Sequence, residues 1–121
     1  MPFQYILANL LAANENAIGV LFLDDSGETV DFAAAELEPY DLKVVGAYLG
    51  IHLRQLDRML EENDLGDSEV VHIEHRAMHV FASKLPDGYS LVLVQRAPAM
   101  VSKTRRSLAE AAHQMRAALF A

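Results

Sequence analysis

Cysteine is absent from the 121 residues, which removes disulfide frameworks, thiolate metal sites, iron–sulfur clusters and thiol nucleophiles in one step. The same absence fits a reducing compartment, and the cytoplasm is the expected location. Basic charge is scarce as well: ten Lys and Arg stand against 17 Asp and Glu, a net charge of −7. Phosphate binding needs clustered positive charge, so no nucleic-acid partner is expected. The apolar stretches are too short or too interrupted by charge to span a bilayer, and the opening Met1-Pro2-Phe3-Gln4-Tyr5 has no basic region. Neither membrane insertion nor export is therefore expected.

The signatures of common enzymes are missing too. The chain contains no GxxxxGK followed by Ser or Thr, no GxGxxG after a strand, no HExxH and no GxSxG. Without them no nucleophile, base and orienting group can be named together, so no catalytic residue and no cofactor is expected.

What is present is 52% hydrophobic residues in a chain the length of one domain, residues 1–121, with no internal repeat and no linker-like segment. Charge is unevenly placed. Residues 1–100 hold 16 acidic and six basic side chains, whereas the last 21 hold four basic and one acidic. Lys103, Arg105 and Arg106 in that tail read as the solvated face of a terminal helix.

Periodicity then divides the chain. Phe3, Ile6, Leu7 and Leu10 recur at helical spacing between Pro2 and Ala13. Ala17 to Leu23 is apolar on both faces, as a strand buried between two layers must be. Asp24-Asp25-Ser26-Gly27 supplies turn chemistry, and Thr29 to Ala33 alternates as a half-exposed strand does, which makes a hairpin. A long helix is predicted from about Tyr40 to Asn63, closed before Gly66. Strands follow over Val70–Arg76 and Met78–Lys84, joined near Arg76 and Ala77. After Pro86-Asp87-Gly88 comes a second doubly apolar strand, Leu91-Val92-Leu93-Val94. Leu108, Ala111, Ala112, Met115, Ala118 and Leu119 then form one stripe of a last helix over about Val101–Phe120.

Placing the two doubly apolar strands side by side at the centre gives a five-stranded, mostly antiparallel sheet of order 2-1-5-4-3. The fold class is α/β (α+β) in three layers: the long helix on one face, the N- and C-terminal helices on the other.

The long helix carries more apolar surface than a sheet needs. Leu42, Val45, Leu49, Leu53, Leu56 and Leu60 make the stripe for the core. Val44, Tyr48, Ile51 and Met59 widen it to nearly half the circumference, which suggests a protein interface unless loop 34–39 or the helix ends fold over it. Gly46 and Gly50 allow a close backbone approach, either to another helix or to the sheet. The strand starting at Val70 would be a bare edge, inviting a second copy. The expected homodimer seam is therefore Val44, Tyr48, Ile51, Gln55 and Met59 on the helix with Val70, His72 and Glu74 on the strand. On the helix's polar side, Lys43, Arg54, Asp57 and Arg58 are candidates for binding a further partner.

His72, His75 and His79 are the nearest thing to a metal cluster. An odd offset puts His72 and His75 on opposite faces of one strand, so no metal site is expected. With a turn at Arg76-Ala77, Glu74 faces His79 and His72 faces Phe81, a cross-strand pairing expected on a wet face. Asp24 and Asp25 are read as turn formers and His113 as solvent-facing.

The element order, Ile6-Leu7 with Leu10-Leu11, the hairpin Gly19-Val20-Leu21-Phe22-Leu23-Asp24-Asp25-Ser26-Gly27, the segment Asp87-Gly88-Tyr89-Ser90-Leu91-Val92-Leu93-Val94 and the closing amphipathic helix together resemble the Roadblock family, named for a dynein light chain and including bacterial regulators of Ras-like GTPases. That resemblance implies a profilin-like α/β/α fold that dimerises through its third strand and second helix. It also implies a non-enzymatic platform on which a small Ras-like GTPase docks, as activator target or scaffolded partner. The family offers no catalytic motif to transfer. Two alternatives stand beside it: a small-molecule sensor of similar strand order, with a pocket between sheet and helix, and a purely architectural subunit of a larger complex. The sensor lacks support in the central strands, which offer no polar group from Ala17 to Leu23 or from Leu91 to Val94.

Overall fold

The computed structural model describes residues 2–66 and 69–119. Three helices and five strands follow one another as α1 (Pro2–Ala13), β1 (Ala17–Leu23), β2 (Thr29–Ala34), α2 (Pro39–Glu62), β3 (Val70–Glu74), β4 (Met78–Lys84), β5 (Ser90–Arg96) and α3 (Val101–Leu119), with a single 3-10 turn at Pro86–Gly88. Phe120, the expected end of the last helix, lies outside the described residues. The strands make one sheet of order β2-β1-β5-β4-β3, and each pairing is antiparallel.

The doubly apolar runs form the middle of that sheet because each of their faces meets a separate core. Toward α1 and α3 point Val20 and Phe22 of β1, Leu91 and Leu93 of β5 and Phe81 of β4, packed on Leu7, Leu10, Leu108, Ala112 and Met115. Toward α2 point Ile18, Leu21 and Leu23, with Val92, Val94 and Ala82, against Leu42, Leu49 and Leu53. On the first face Phe22 lies between the rings of Phe3 and Tyr89, with centroids 5.0 and 5.3 Å away.

The turns follow their local chemistry. Asp24 Oδ1 accepts from the N–H groups of Ser26 and Glu28, both at 2.9 Å, while Gly27 takes φ +83°, a conformation that glycine adopts without a Cβ penalty. The expected β3 is two residues too long. His75 and Met78 exchange backbone hydrogen bonds of 2.7 and 3.2 Å across Arg76-Ala77, so His75 and Arg76 belong to the turn and β3 ends at Glu74. The register is the expected one, with Glu74 opposite His79 and His72 opposite Phe81.

Helix α2 seats differently from its leucine periodicity. Leu42, Gly46, Leu49, Gly50 and Leu53 are its buried residues, whereas Val45, Leu56 and Leu60, expected in the core stripe, are half-buried. The helix rolls onto its two glycines because they let it approach β1 and the first hairpin turn. A methyl group at Gly46 would meet Leu21 and Leu23 side chains at 3.0 Å; at Gly50 it would meet the Gly27 Cα at 2.7 Å. Close packing against the sheet is therefore what this glycine pair serves. Leucine methyls can shift and backbone cannot, so Gly50→Ala should lower stability by about 1–3 kcal/mol and Gly46→Ala by less. Urea midpoints of the two variants check the order, and equal midpoints would contradict it.

Candidate protein-interaction surface

The roll of α2 decides which side chains remain outside. Its Gly46–Gly50 side faces β1 and the hairpin turn. On that same side Lys43 Nζ lies 5.2 Å from the centre of the Phe32 ring, and the Arg54 guanidinium donates to the Asp25 carbonyl at 3.0 Å. At 100° per residue, the opposite flank carries Tyr48, Gln55 and Met59, with Val44 and Ile51 outermost. Tyr48 is 64% exposed, Ile51 43% and Met59 52%. Gln55 is exposed and Val44 half-buried. Among the described residues, loop 34–39 and the helix ends leave this flank uncovered.

The expected partner-binding group is dispersed by its contacts. Lys43 belongs to the β2 side and Arg54 to the hairpin turn. Asp57 pairs with Lys84 at the end of β4, where burial lowers the Lys84 ammonium below the ordinary lysine range. Arg58 remains exposed. It falls in line with Ile51 and Val44 at intervals of seven residues, which drift only about 20° apart per step on a straight helix.

Strand β3 is an edge of the sheet, and alternation separates its two sides. His75 bonds Met78, and the Lys84 N–H donates to the Glu69 carbonyl. In an antiparallel ladder the hydrogen-bonded pairs recur every second residue. Val71 and Ile73 therefore bond toward β4, while the backbone N–H and C=O groups of Val70, His72 and Glu74 point out of the edge. The side chains alternate too. Val71 packs on the α2-side core, and Ile73, opposite Val80, shares that face and is 45% exposed. Val70, His72 and Glu74 stand on the α1/α3 face.

The helix residues and strand residues expected in one seam thus lie on opposite faces of the sheet and are joined only through the edge backbone. Val71 and Ile73 share α2's face and are not among the strand residues expected in the seam. Their signal was present: the same register that sets Glu74 opposite His79 turns Ile73 toward α2.

His72 stacks on Phe81 with centroids 4.3 Å apart, and its Nε2 is 2.9 Å from His79 Nδ1. The expected wet face is half wrong here, because His79 is buried at 6% exposure under the α3 side of the sheet. His75 and His113 are exposed. Among the described residues no group of three or more His, Asp or Glu is arranged to hold a metal ion. No helix among them is long and apolar enough to cross a membrane.

With this geometry in hand, comparison with solved structures is decisive for the fold. A Roadblock/LC7 domain from Streptomyces avermitilis superposes with a TM-score of 0.84 over 97% of both chains at 18% identity. The chain has the Roadblock/LC7 fold. MglB of Myxococcus xanthus matches with a TM-score of 0.87 over 97% of this chain and 94% of that one, at 11% identity. An MglB described in a tetrameric arrangement matches at 0.84 over 95% and 88%, at 16% identity. No family model matches the sequence, and no curated protein does.

Arg54 and Arg58, four residues apart on this Roadblock-fold helix, should therefore behave differently. Arg54→Ala removes the tie to the hairpin turn and should cost about 1 kcal/mol; Arg58→Ala should stay within about 0.5 kcal/mol of the parent. Chemical denaturation of the two variants measures both.

Proposed function

We propose that this protein is a non-enzymatic homodimeric interaction module that binds and regulates a small Ras-like GTPase. The observation that carries the dimer is the coincidence of an uncovered apolar flank on α2 with an open backbone edge on β3, where each alone would be a liability in water. The likeness to MglB, which is described in a tetrameric arrangement, supports self-association.

The open groups specify how two copies would pair. Antiparallel strands related by a two-fold axis satisfy all six outward groups of each edge only when the axis passes beside His72. Then His72 pairs with its own copy and Val70 with Glu74 of the partner subunit. On the α2 face, Ile73 would pack against Val71 of the partner subunit, withdrawing its exposed surface from water, and the α2 flanks would approach across the axis through Tyr48 and Met59. Shifting the axis by one residue leaves one pair of groups on each edge unmade.

The GTPase assignment rests on the Roadblock resemblance. Of the residues considered for it, Arg58 is best suited, because Lys43, Arg54 and Asp57 are engaged within the chain. Exposed on α2 beside Ile51, it sets a cation at the rim of the apolar flank, a mixed surface of the kind protein partners read.

Two experiments test this reading. Sedimentation should give twice the 13.4 kDa of one chain for the parent and a monomer for Tyr48→Asp, Ile51→Asp and Glu74→Pro. The proline variant removes an outward N–H that the monomer does not use. Unchanged mass in all three would remove the seam. A pull-down with a non-hydrolysable GTP analogue and with GDP should retain a small GTPase in the GTP arm, and Arg58→Glu should lose it while keeping the parent mass. Retention of no GTPase in either arm would leave an architectural subunit as the better reading.

A further inference from the structure

The hydrogen-bonded ladder between β3 and β4 runs one residue past each end of β3. At one end His75 and Met78 exchange backbone hydrogen bonds of 2.7 and 3.2 Å; at the other the Lys84 N–H donates to the Glu69 carbonyl at 2.8 Å. Residues directly opposite in an antiparallel ladder carry their side chains on the same face. Met78 packs on the α2-side core and Lys84 pairs with Asp57 of α2, so His75 and Glu69 both stand on the α2 face. Both are exposed. Along that face the edge therefore presents Glu69, Val71, Ile73 and His75, two apolar side chains between an acid and a histidine.

The pairing of two copies about His72 fixes what each of these side chains meets, and the inference rests on that reading. With Val70 opposite Glu74 of the partner subunit, one step outward in the register sets Glu69 opposite His75 of the partner subunit. The two-fold axis repeats the contact at the other end of the seam. Val70, His72 and Glu74 carry the hydrogen bonds between copies, so these flanking pairs are of the non-hydrogen-bonded kind, with Cα atoms about 4.5 Å apart and side chains at their closest. We propose that Glu69 and His75 determine the specificity of self-association, closing each end of the apolar seam with an acid–histidine pair that becomes an ion pair when His75 holds a proton. A related chain without this pattern forfeits both contacts, so the seam selects a second copy of this chain.

The other charges nearby are those of the single chain. Glu69 has Lys84 opposite it on the same face, and Lys84 is paired with Asp57. His75 has the uncharged Met78 opposite and Arg76 beside it in the turn. Arg96 of β5, next beyond Met78, is held by Glu36. On the flank of α2 turned toward β3 the titratable groups are Asp41 and His52, both exposed. Glu74 and His79 stand on the opposite face of the sheet. Histidine changes charge between about pH 5 and 8. Because the carboxylate opposite His75 is supplied only by the second copy, a proton on His75 favours the dimer, and association strengthens as pH falls through that range. His72 meets its own copy and changes charge over the same range, so the part due to His75 is the difference between the parent and His75→Gln.

Dissociation constants of the full chain, measured by sedimentation equilibrium, test the pair. Between pH 8 and pH 6 the parent should tighten about fivefold relative to His75→Gln, the scale of two cross-strand ion pairs. At pH 7.5 His75→Glu sets two carboxylates directly opposite at each end of the seam and should weaken self-association about tenfold; adding Glu69→Lys should return it to within about threefold of the parent. The repair by a second substitution also shows that the first leaves the chain folded. A parent that is monomeric at both pH values removes the homodimer reading and this inference together. With a dimeric parent, a pH response equal to that of His75→Gln, an undiminished affinity in His75→Glu, or a loss that Glu69→Lys does not repair overturns this inference alone.

Discussion

Helix α2 can approach the sheet only as closely as its side chains allow, and at Gly46 and Gly50 it has none. A Cβ at Gly50 would lie 2.7 Å from the Gly27 Cα, so the helix and the first hairpin turn are in contact through backbone. That contact sets the roll of α2 about its axis, and much else follows from the roll. It draws Leu42, Leu49 and Leu53 into the core and leaves Val45, Leu56 and Leu60 half-covered. It brings Arg54 to the Asp25 carbonyl and Asp57 to Lys84, which ties the polar flank to the sheet. It turns Tyr48, Ile51, Met59 and Arg58 outward. The surface proposed for partners is the part of α2 that the glycine contact leaves over.

The sheet imposes a second division. β1 and β5 are buried on both faces, because α2 covers one and α1 with α3 the other. β3 is separated from β1 by β5 and β4 and lies at the edge, beyond the Gly46–Gly50 contact. Its α2-side residues Val71 and Ile73 consequently have less cover than equivalent residues of β1. An incompletely covered strand face beside an uncovered helix flank, ending in an open edge, is a single continuous feature, although its members come from residues 44–59 and 70–74. The long helix and the edge strand expose apolar area together because one positions the limit of cover for the other.

Much of this architecture is legible in the sequence, for identifiable reasons. Two apolar runs without alternation can only be central strands, and their adjacency sets the order of the other three. The meander register follows from a two-residue turn at Arg76-Ala77. Three things were not legible. The roll of α2 depends on which leucines of β1 lie beneath two glycines, a tertiary fact that leucine spacing alone does not contain. Lys43, Arg54 and Asp57 carry the pattern of a solvated helix face, and only the fold reveals that each has a partner. The buried polar cluster of Asn14, Gln95 and Thr104 is assembled from three elements 81 and nine residues apart in the chain, and none of the three stands out in its own segment.

The buried polar residues also bear on the edge strand. Thr104 bonds Gln95, Gln95 stands opposite His79 in the ladder, His79 bonds His72, and His72 stacks on Phe81. This row crosses from α3 over β5 and β4 to β3 on one face of the sheet. A slip of β3 by one residue would exchange its faces, carrying Ile73 under α3 and His72 toward α2, and would break both the 2.9 Å contact with His79 and the stack on Phe81. A strand of five residues at an edge has few other constraints on its register. The histidine pair therefore determines which backbone groups of β3 face outward, and with them the one arrangement in which two copies can satisfy every group. A polar row, buried except at His72, thus specifies the geometry of the interface proposed between two copies.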